Sequence, residues 1–253
     1  MGNACPKAVV FDFDGTLSKS RQPIEASVSE LFIALAGKTT AAIMSGSAFP
    51  ILHKNFLSRL PKTDTASFYV FPNAAAECHL WNGGADETLY NHAFTRGECT
   101  HITSVLQKII EDLKIVEGLP SWGPRIDDRG AAIAFAGLGI DAPIVEKEAW
   151  DPDQKKRIPL HKKLQVALPD CEVHIGGTTT VEMTRKGIDK AYGIRYLANR
   201  LGVETKDMLF IGDALYEGGN DAAVIPTGIQ TRQVSGPEET IIVLKKLNTR
   251  CSQ

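Results

Sequence analysis

The stretch Val9-Val10-Phe11-Asp12-Phe13-Asp14-Gly15-Thr16-Leu17 constrains this chain more than any other. An apolar run ends in two carboxylates two residues apart, followed by a Gly-Thr break. Val9 to Phe11 read as a buried strand of a parallel sheet. Asp12 and Asp14 then fall at its carboxyl end, where open α/β sheets hold their ligands. Residues i and i+2 of a continuing strand share a face, and two carboxylates that close repel unless a cation neutralises them. Hard oxygen ligands of this kind suit Mg²⁺, which also favours phosphate-bearing substrates. Gly15 permits the sharp turn away from the strand. Asp-Gly alone is a common turn, so the residues downstream decide the reading.

Pro23 to Ala36 has its apolar residues at helical spacing, and Gly37 is a plausible stop. Thr40 to Met44 reads as a second buried strand, ending at Ser45-Gly46-Ser47, with a helix starting near Ala48 or Phe49. Hydroxyls at a strand end beside a helix N-terminus are placed to hold phosphate oxygens; an N-cap is the plainer reading. Spacing favours Ser45, with Ser47 as the alternative. Ser67 to Asn73 is a third strand running into a turn, and Asn82-Gly83 signals a hairpin after Cys78. His79 there reads as a packed strand residue. Ile102 to Leu113 is an amphipathic helix. From residue 86 to 185 helices alternate with short strands, among them Ala131–Phe135 and Glu172–Ile175, as in a separate α+β unit inserted into the first. The charge cluster Asp151 to Arg157 reads as solvated surface. Ile188 to Leu201 returns to helix with Lys190 near its start. Met208 to Gly212 is a strand ending at Asp213, and a Gly-rich loop, Glu217-Gly218-Gly219, leads to Asn220-Asp221.

Asp12-Phe13-Asp14-Gly15-Thr16-Leu17, the Ser45-Gly46-Ser47 loop, Lys190 and Gly212-Asp213 to Gly219-Asn220-Asp221 occur in the order of the four motifs of the haloacid dehalogenase superfamily, which this chain resembles. The resemblance implies an α/β fold: a Rossmann-like, doubly wound parallel-sheet core (residues 1–85 and 186–253) with an inserted α+β cap (86–185). It implies that Asp12 is the nucleophile that forms an aspartyl-phosphate, that Asp14 is the general acid/base, and that Lys190 bridges nucleophile and phosphate. Asp12, Asp14 through its carbonyl, Asp213 and Asp221 are the implied Mg²⁺ ligands. Ser45, Gly46 and Ser47 are the implied phosphate loop. The insertion point is that of the superfamily's second cap type. Within that subgroup the chain looks most like the eukaryotic phosphomannomutase family, through Arg21-Gln22, Tyr69 to Pro72, Arg129-Gly130, Gly176 to Glu182 and Lys186 to Lys190. This likeness makes Arg21, Arg129, Arg157, Thr180 and Glu182 candidate substrate-binding residues.

The departures concern the cap. Where the mutase pattern has arginines that grip a distal phosphate, this chain has Ala136, within Ala134-Phe135-Ala136, and Glu146, after Pro143-Ile144-Val145. A phosphate clamp without bidentate guanidinium groups is weak, although Arg125, Arg129, Lys147 and Lys155 lie nearby in sequence. The expectation is therefore a phosphatase of a small phosphorylated metabolite such as a sugar phosphate, with the mutase as the alternative. A third class, a non-catalytic phospho-ligand module like a receiver domain, is disfavoured by the inserted cap and the Gly-Gly-Asn-Asp loop.

At 253 residues the chain can bury a large core, and its net charge of −2 offers nothing to nucleic acid or an acidic membrane surface. No run of 18 apolar residues occurs. Five scattered cysteines, none at metal-ligand spacing, read as reduced thiols of an intracellular protein. A cytoplasmic enzyme, monomeric or homodimeric, is the expectation.

Overall fold

The computed structural model describes residues 4–20, 22–61 and 66–252. In chain order its main elements are β1 (Ala8–Asp12), α1 (Ala26–Ala36), β2 (Thr40–Met44), α2 (Phe49–Asn55), β3 (Ser67–Phe71), β4 (Glu77–Asn82), β5 (Ala85–Asn91), α3 (Arg96–Leu113), β6 (Ile126–Asp128) and β7 (Ile133–Ala136). There follow α4 (Ile144–Trp150), α5 (Arg157–Ala167), β8 (Cys171–Gly176), β9 (Thr180–Arg185), α6 (Lys190–Leu201), β10 (Met208–Gly212), β11 (Gln230–Gln233) and α7 (Pro237–Arg250). Residues up to Asn91 and from Asp189 onward form one compact unit, and His92–Ile188 form a second.

In the first unit seven strands lie in the order β11-β10-β1-β2-β3-β4-β5. The first five run parallel, and β4 and β5 add an antiparallel hairpin. The sheet is doubly wound. The alternation of side chains along each strand feeds two separate cores: Val9, Phe11, Ala41, Ile43, Leu209 and Ile211 pack against α1, α2 and α7, while Ala8, Val10, Ala42, Met44, Met208 and Phe210 pack against α6. On the first side Phe32 meets Phe11, Phe56 and Phe68 edge to face, the geometry aromatic rings prefer. From β1 the chain winds outward through β2 and β3, then returns to place β10 on β1's other side. The strand order thus switches at β1, and the crevice at the strand carboxyl ends beside that switch is where such sheets bind ligands.

The second unit is a four-stranded antiparallel sheet, β6-β7-β9-β8. Ile133, Phe135, Val173, Val181 and Met183 turn one of its faces toward α3 and α5, where Ile102, Leu106, Leu160 and Leu164 close the core. Thr95 and Glu98 form a capping box at the start of α3, which begins six residues before its apolar stripe. Arg185 of β9 holds Glu98 with two hydrogen bonds of 2.8 Å.

The sequence reading divides the chain at 85/86 and 185/186, while the compact units part at 91/92 and 188/189. The difference at the first boundary is β5: its side chains are mostly exposed, so it carries no core signature, but its backbone pairs with β4 along its length. The cysteine reading is corrected. Cys5 and Cys251 form a disulfide with Cα atoms 4.9 Å apart, and Cys78, Cys99 and Cys171 remain thiols. A separation of 246 residues leaves no local pattern from which that pairing could be read. No helix among the described residues is long and apolar enough to cross a membrane.

Candidate active site

Strand parity decides where Asp12 points. It shares the face of Ala8 and Val10, the α6 side, and is 3% exposed. There it meets Lys190, the first residue of α6, whose ammonium donates to Asp12 Oδ1 at 2.7 Å and to Asp221 Oδ1 at 2.6 Å. Asp189 caps the helix by accepting from the Tyr192 N–H. A cation at a helix N-terminus opposes the macrodipole; the two buried carboxylates offset that. Burial alone would lower the Lys190 pKa, but Asp12 and Asp221 outweigh it and hold the ammonium well above its usual range. Burial pushes the Asp12 carboxyl well up, opposed by Lys190 and reinforced by Asp221 and Asp213. Asp213 is raised too, by burial and then by Asp221.

Asp12, Asp213 and Asp221 each offer an oxygen, and these atoms lie within 4.8 Å of one another. Three carboxylates face one ammonium, so the cluster has surplus negative charge that a divalent cation would balance. The all-oxygen donor set suits a hard ion such as Mg²⁺. Two glycines make this crowding sterically feasible. A Cβ on Gly15, whose φ is +89°, would lie 2.4 Å from Asp213 Oδ2, and one on Gly212 would lie 2.2 Å from Asp221 Oδ2. The Ala214 N–H also donates to Asp221 Oδ2 at 3.1 Å, and the Thr16 hydroxyl to Asp213 at 3.5 Å. Thr16 stands inside the first motif but carried no role in the sequence reading.

Asp14 is not part of this triad. Its Oδ2 accepts from the Ser45 hydroxyl at 3.4 Å and the Ser47 hydroxyl at 3.2 Å. Ser45 Oγ in turn accepts from the Ser47 N–H at 3.0 Å. Ser45 is buried, whereas Gly46 and Ser47 are half-buried. Two contact sets thus lie at the carboxyl ends of β1, β2 and β10: Asp12, Lys190, Asp213 and Asp221 in one, and Asp14, Ser45 and Ser47 in the other.

The cap candidates fall differently. Strand pairing sets Asp127, Ala134, Glu182 and His174 in one row across the sheet, and Ala136, Thr180 and Gly176 in the next, all on the face opposite the cap core. Arg129 joins this face: its Nε donates to Asp127 at 2.7 Å and its Nη1 to Glu182 at 3.0 Å. Arg125 is tied to the carbonyls of Leu119, Pro120 and Gly137. Arg157 is a correction. It is 2% exposed and so is Asp151. Its Nε donates to Asp151 Oδ2 at 2.9 Å, its Nη2 to the Asp151 carbonyl, and its Nη1 to the carbonyls of Gly176 and Gly177. A guanidinium so enclosed cannot receive a substrate, and the cluster read as solvated surface contains a buried ion pair. Arg157→Leu is accordingly expected to destabilise the cap by about 3–5 kcal/mol, since it strands the Asp151 carboxylate in the interior. Thermal unfolding measures this; a variant as stable as wild type, but with a weakened KM, would return Arg157 to the substrate. Arg21 lies outside the described residues.

This arrangement, a buried Asp–Lys–Asp contact and an acidic triad at the switch point of a doubly wound sheet, defines a class. Residues 145–224 match the family model of a haloacid dehalogenase-like hydrolase, and this likeness, with the relatives that follow, supports an enzyme with phosphohydrolase or phosphotransferase activity. The chain is 25% identical over 244 residues to a phosphomannomutase of Nicotiana benthamiana, across 92% of this chain and 90% of that protein. Among solved structures it is similar to a C-terminally truncated IMP-nucleotidase of Plasmodium falciparum (TM-score 0.72, 17% identity, 97% of this chain and 72% of the other). It is also similar to the C-terminal domain of a trehalose-6-phosphate phosphatase of C. albicans (TM-score 0.66, 14% identity, 97% and 93%).

Proposed function

We propose that this enzyme is a Mg²⁺-dependent phosphatase of a small phosphorylated metabolite, a sugar phosphate in particular. The observation that carries the choice is the charge on the cap's polar face. Its guanidinium, Arg129, is held between the carboxylates of Asp127 and Glu182, so one positive charge meets two negative ones. A mutase must grip the second phosphate of a bisphosphate while it reorients. A face whose Arg129 is already paired with two carboxylates, and which has Ala136 where the mutase pattern has arginine, offers such a group little grip. It suits neutral hydroxyls instead: Thr180 and Glu182 stand on it, and the buried His174 Nε2 has no hydrogen-bond partner among the described residues.

In the proposed reaction the Asp12 carboxylate attacks phosphorus and the P–O bond to the sugar breaks. Asp14 gives its proton to the leaving oxygen. It then takes a proton from water, which attacks the aspartyl-phosphate, freeing inorganic phosphate and restoring Asp12. Lys190 balances charge beside the nucleophile. Ser45, Gly46 and Ser47 receive phosphoryl oxygens. Asp12, Asp213 and Asp221 would hold Mg²⁺, joined by the Asp14 carbonyl on the family resemblance; when bound, the ion offsets charge on the transferring group. The reading places the enzyme in the cytoplasm.

The likeness to phosphomannomutases over most of both chains favours a second reading, in which hexose 1- and 6-phosphates interconvert. A phosphorus NMR time course with mannose 1-phosphate or glucose 1-phosphate, a trace of sugar bisphosphate and Mg²⁺ separates the two. Release of inorganic phosphate, abolished by EDTA and restored by Mg²⁺, is expected. Quantitative conversion to the 6-phosphate without free phosphate would make the mutase reading correct, and turnover that survives exhaustive chelation would remove the metal from the scheme.

A further inference from the structure

Next to the phosphate loop is a row of buried polar side chains to which the reaction above assigns no task. Asn73, Glu77 and His79 are 1%, 8% and 5% exposed. The Asn73 amide donates to Glu77 Oε1 at 2.6 Å, and Glu77 Oε2 lies 3.3 Å from His79 Nε2. On its other side His79 Nδ1 lies 3.1 and 3.2 Å from the two oxygens of Asp86. The row ends against the loop by two routes. Through the backbone, the Asn73 N–H donates to the Ser47 carbonyl at 3.0 Å and the Ala74 N–H to the Ser45 carbonyl at 2.8 Å. Through a ring, His79 stacks on Phe49 with centroids 4.0 Å apart, and Phe49 opens α2 two residues after Ser47.

We propose that Asn73, Glu77 and a protonated His79 form a positioning unit that holds the Ser45–Ser47 loop against Asp14. The inference rests on the function proposed above for that loop. Two features single the unit out from ordinary packing. First, the backbone it braces is strained: Asn73, Ala74 and Ala75 follow one another at φ of +50°, +53° and +70°. Non-glycine residues persist in that region when their surroundings over-determine them, and such strain gathers at functional sites. Second, the Asn73 amide is turned so that its Oδ1 is buried with no partner among the described residues, a cost accepted in order to feed Glu77.

The surroundings of the ring favour its charged form. Both imidazole nitrogens face carboxylates, and a ring protonated on both donates to each of them, with the Thr88 hydroxyl also 3.3 Å from Nδ1. Burial alone would lower the His79 pKa, but Glu77 and Asp86 together raise it above its ordinary value. The groups facing the ring are Glu77 from its own strand, Asp86 and Thr88 from β5, and from α2 the Phe49 ring, beside which His53 lies with centroids 6.3 Å apart. When pH rises through the His79 pKa, one carboxylate is left facing a lone pair, and the brace on the loop weakens. Glu77→Gln removes this dependence. The glutamine oxygen still accepts from Asn73, and its NH₂ donates to a neutral ring.

The test tracks the full chain by NMR across pH. In the wild type the amide signals of Ser47, Asn73 and Ala74 are expected to titrate with the midpoint of the His79 ring; in Glu77→Gln they no longer do. In turnover assays Glu77→Ala should lower kcat about 10- to 100-fold, the scale on which loss of supporting contacts is felt. The alkaline limb of the wild-type kcat profile should be absent in Glu77→Gln. Loop amides that ignore His79 in the wild type, or that follow it unchanged in Glu77→Gln, would overturn the proposal. Intact coupling in a protein without phosphatase turnover would instead strike the proposed reaction and leave the positioning unit standing.

Discussion

Asp12→Asn is expected to lower turnover about 10⁴-fold or more, the scale on which loss of a nucleophile is felt. The substitution is nearly isosteric and keeps an oxygen within reach of Lys190, so the fold has no reason to change. It also removes one of three crowded carboxylates, two of them buried and one half-buried, and the chelator-treated variant should unfold at a temperature no lower than wild type. The neutral amide cannot form the aspartyl-phosphate, so acid-quenched protein should carry no phosphate on the peptide spanning β1. Asp14→Asn loses proton transfer alone, and an effect of about 10²–10⁴-fold is expected there. An Asp12→Asn enzyme that keeps more than about one per cent of the wild-type rate would show that another group attacks phosphorus.

Lys190→Met has the next largest effect, on two observables at once. The ammonium lies between Asp12 and Asp221, and removing it leaves both buried without their counter-charge. Breaking a buried pair from one side costs about 3–5 kcal/mol, which lowers the unfolding temperature by about 6–20 °C for a chain of this size. Turnover should fall about 10²–10³-fold or more, as when one charge-stabilising donor is lost. Added Mg²⁺ should recover part of the stability, as expected of an ion that the proposed reaction places on the folded acidic cluster and not on the unfolded chain. An unfolding temperature unchanged in chelator, together with a rate within tenfold of wild type, would mean that Lys190 does not balance these charges.

The strands that carry the site were legible because their periodicity and their chemistry agree. β2 spans the residues read from the apolar run Thr40 to Met44, and Asp12 and Ser45 stand at strand ends where the run of hydrophobics meets polar residues. Order along the chain, however, says nothing of direction in space. That Lys190 reaches Asp12 and Asp221 together follows from the register of β1 on β10 and the parity of β1, neither of which a local window contains. The Asp151–Arg157 pair failed for a related reason: charges six residues apart read as solvated unless the chain is known to fold back between them. α1 starts at Ala26 rather than Pro23, the chain entering extended through Glu25. The early start of α3 had a signal, Thr95 three residues before Glu98, which apolar spacing alone does not register. Asn73 could have been noticed from the Pro72-Asn73 turn that ends β3; its partners Glu77 and His79 could not, because a buried ionic network on a strand looks like alternating polarity.

The sulfur bridge between Cys5 and Cys251 changes the molecule's topology as a connected object. Once it has formed, the chain between the two sulfurs is a closed loop. In the loop-entropy account, closing so long a circuit removes about 5 kcal/mol of freedom from the unfolded state. A protease that cuts once in the cap, or anywhere else between the two sulfurs, would open the circle without freeing a fragment. The cut protein would migrate as one species until a reductant was added, and as two afterwards.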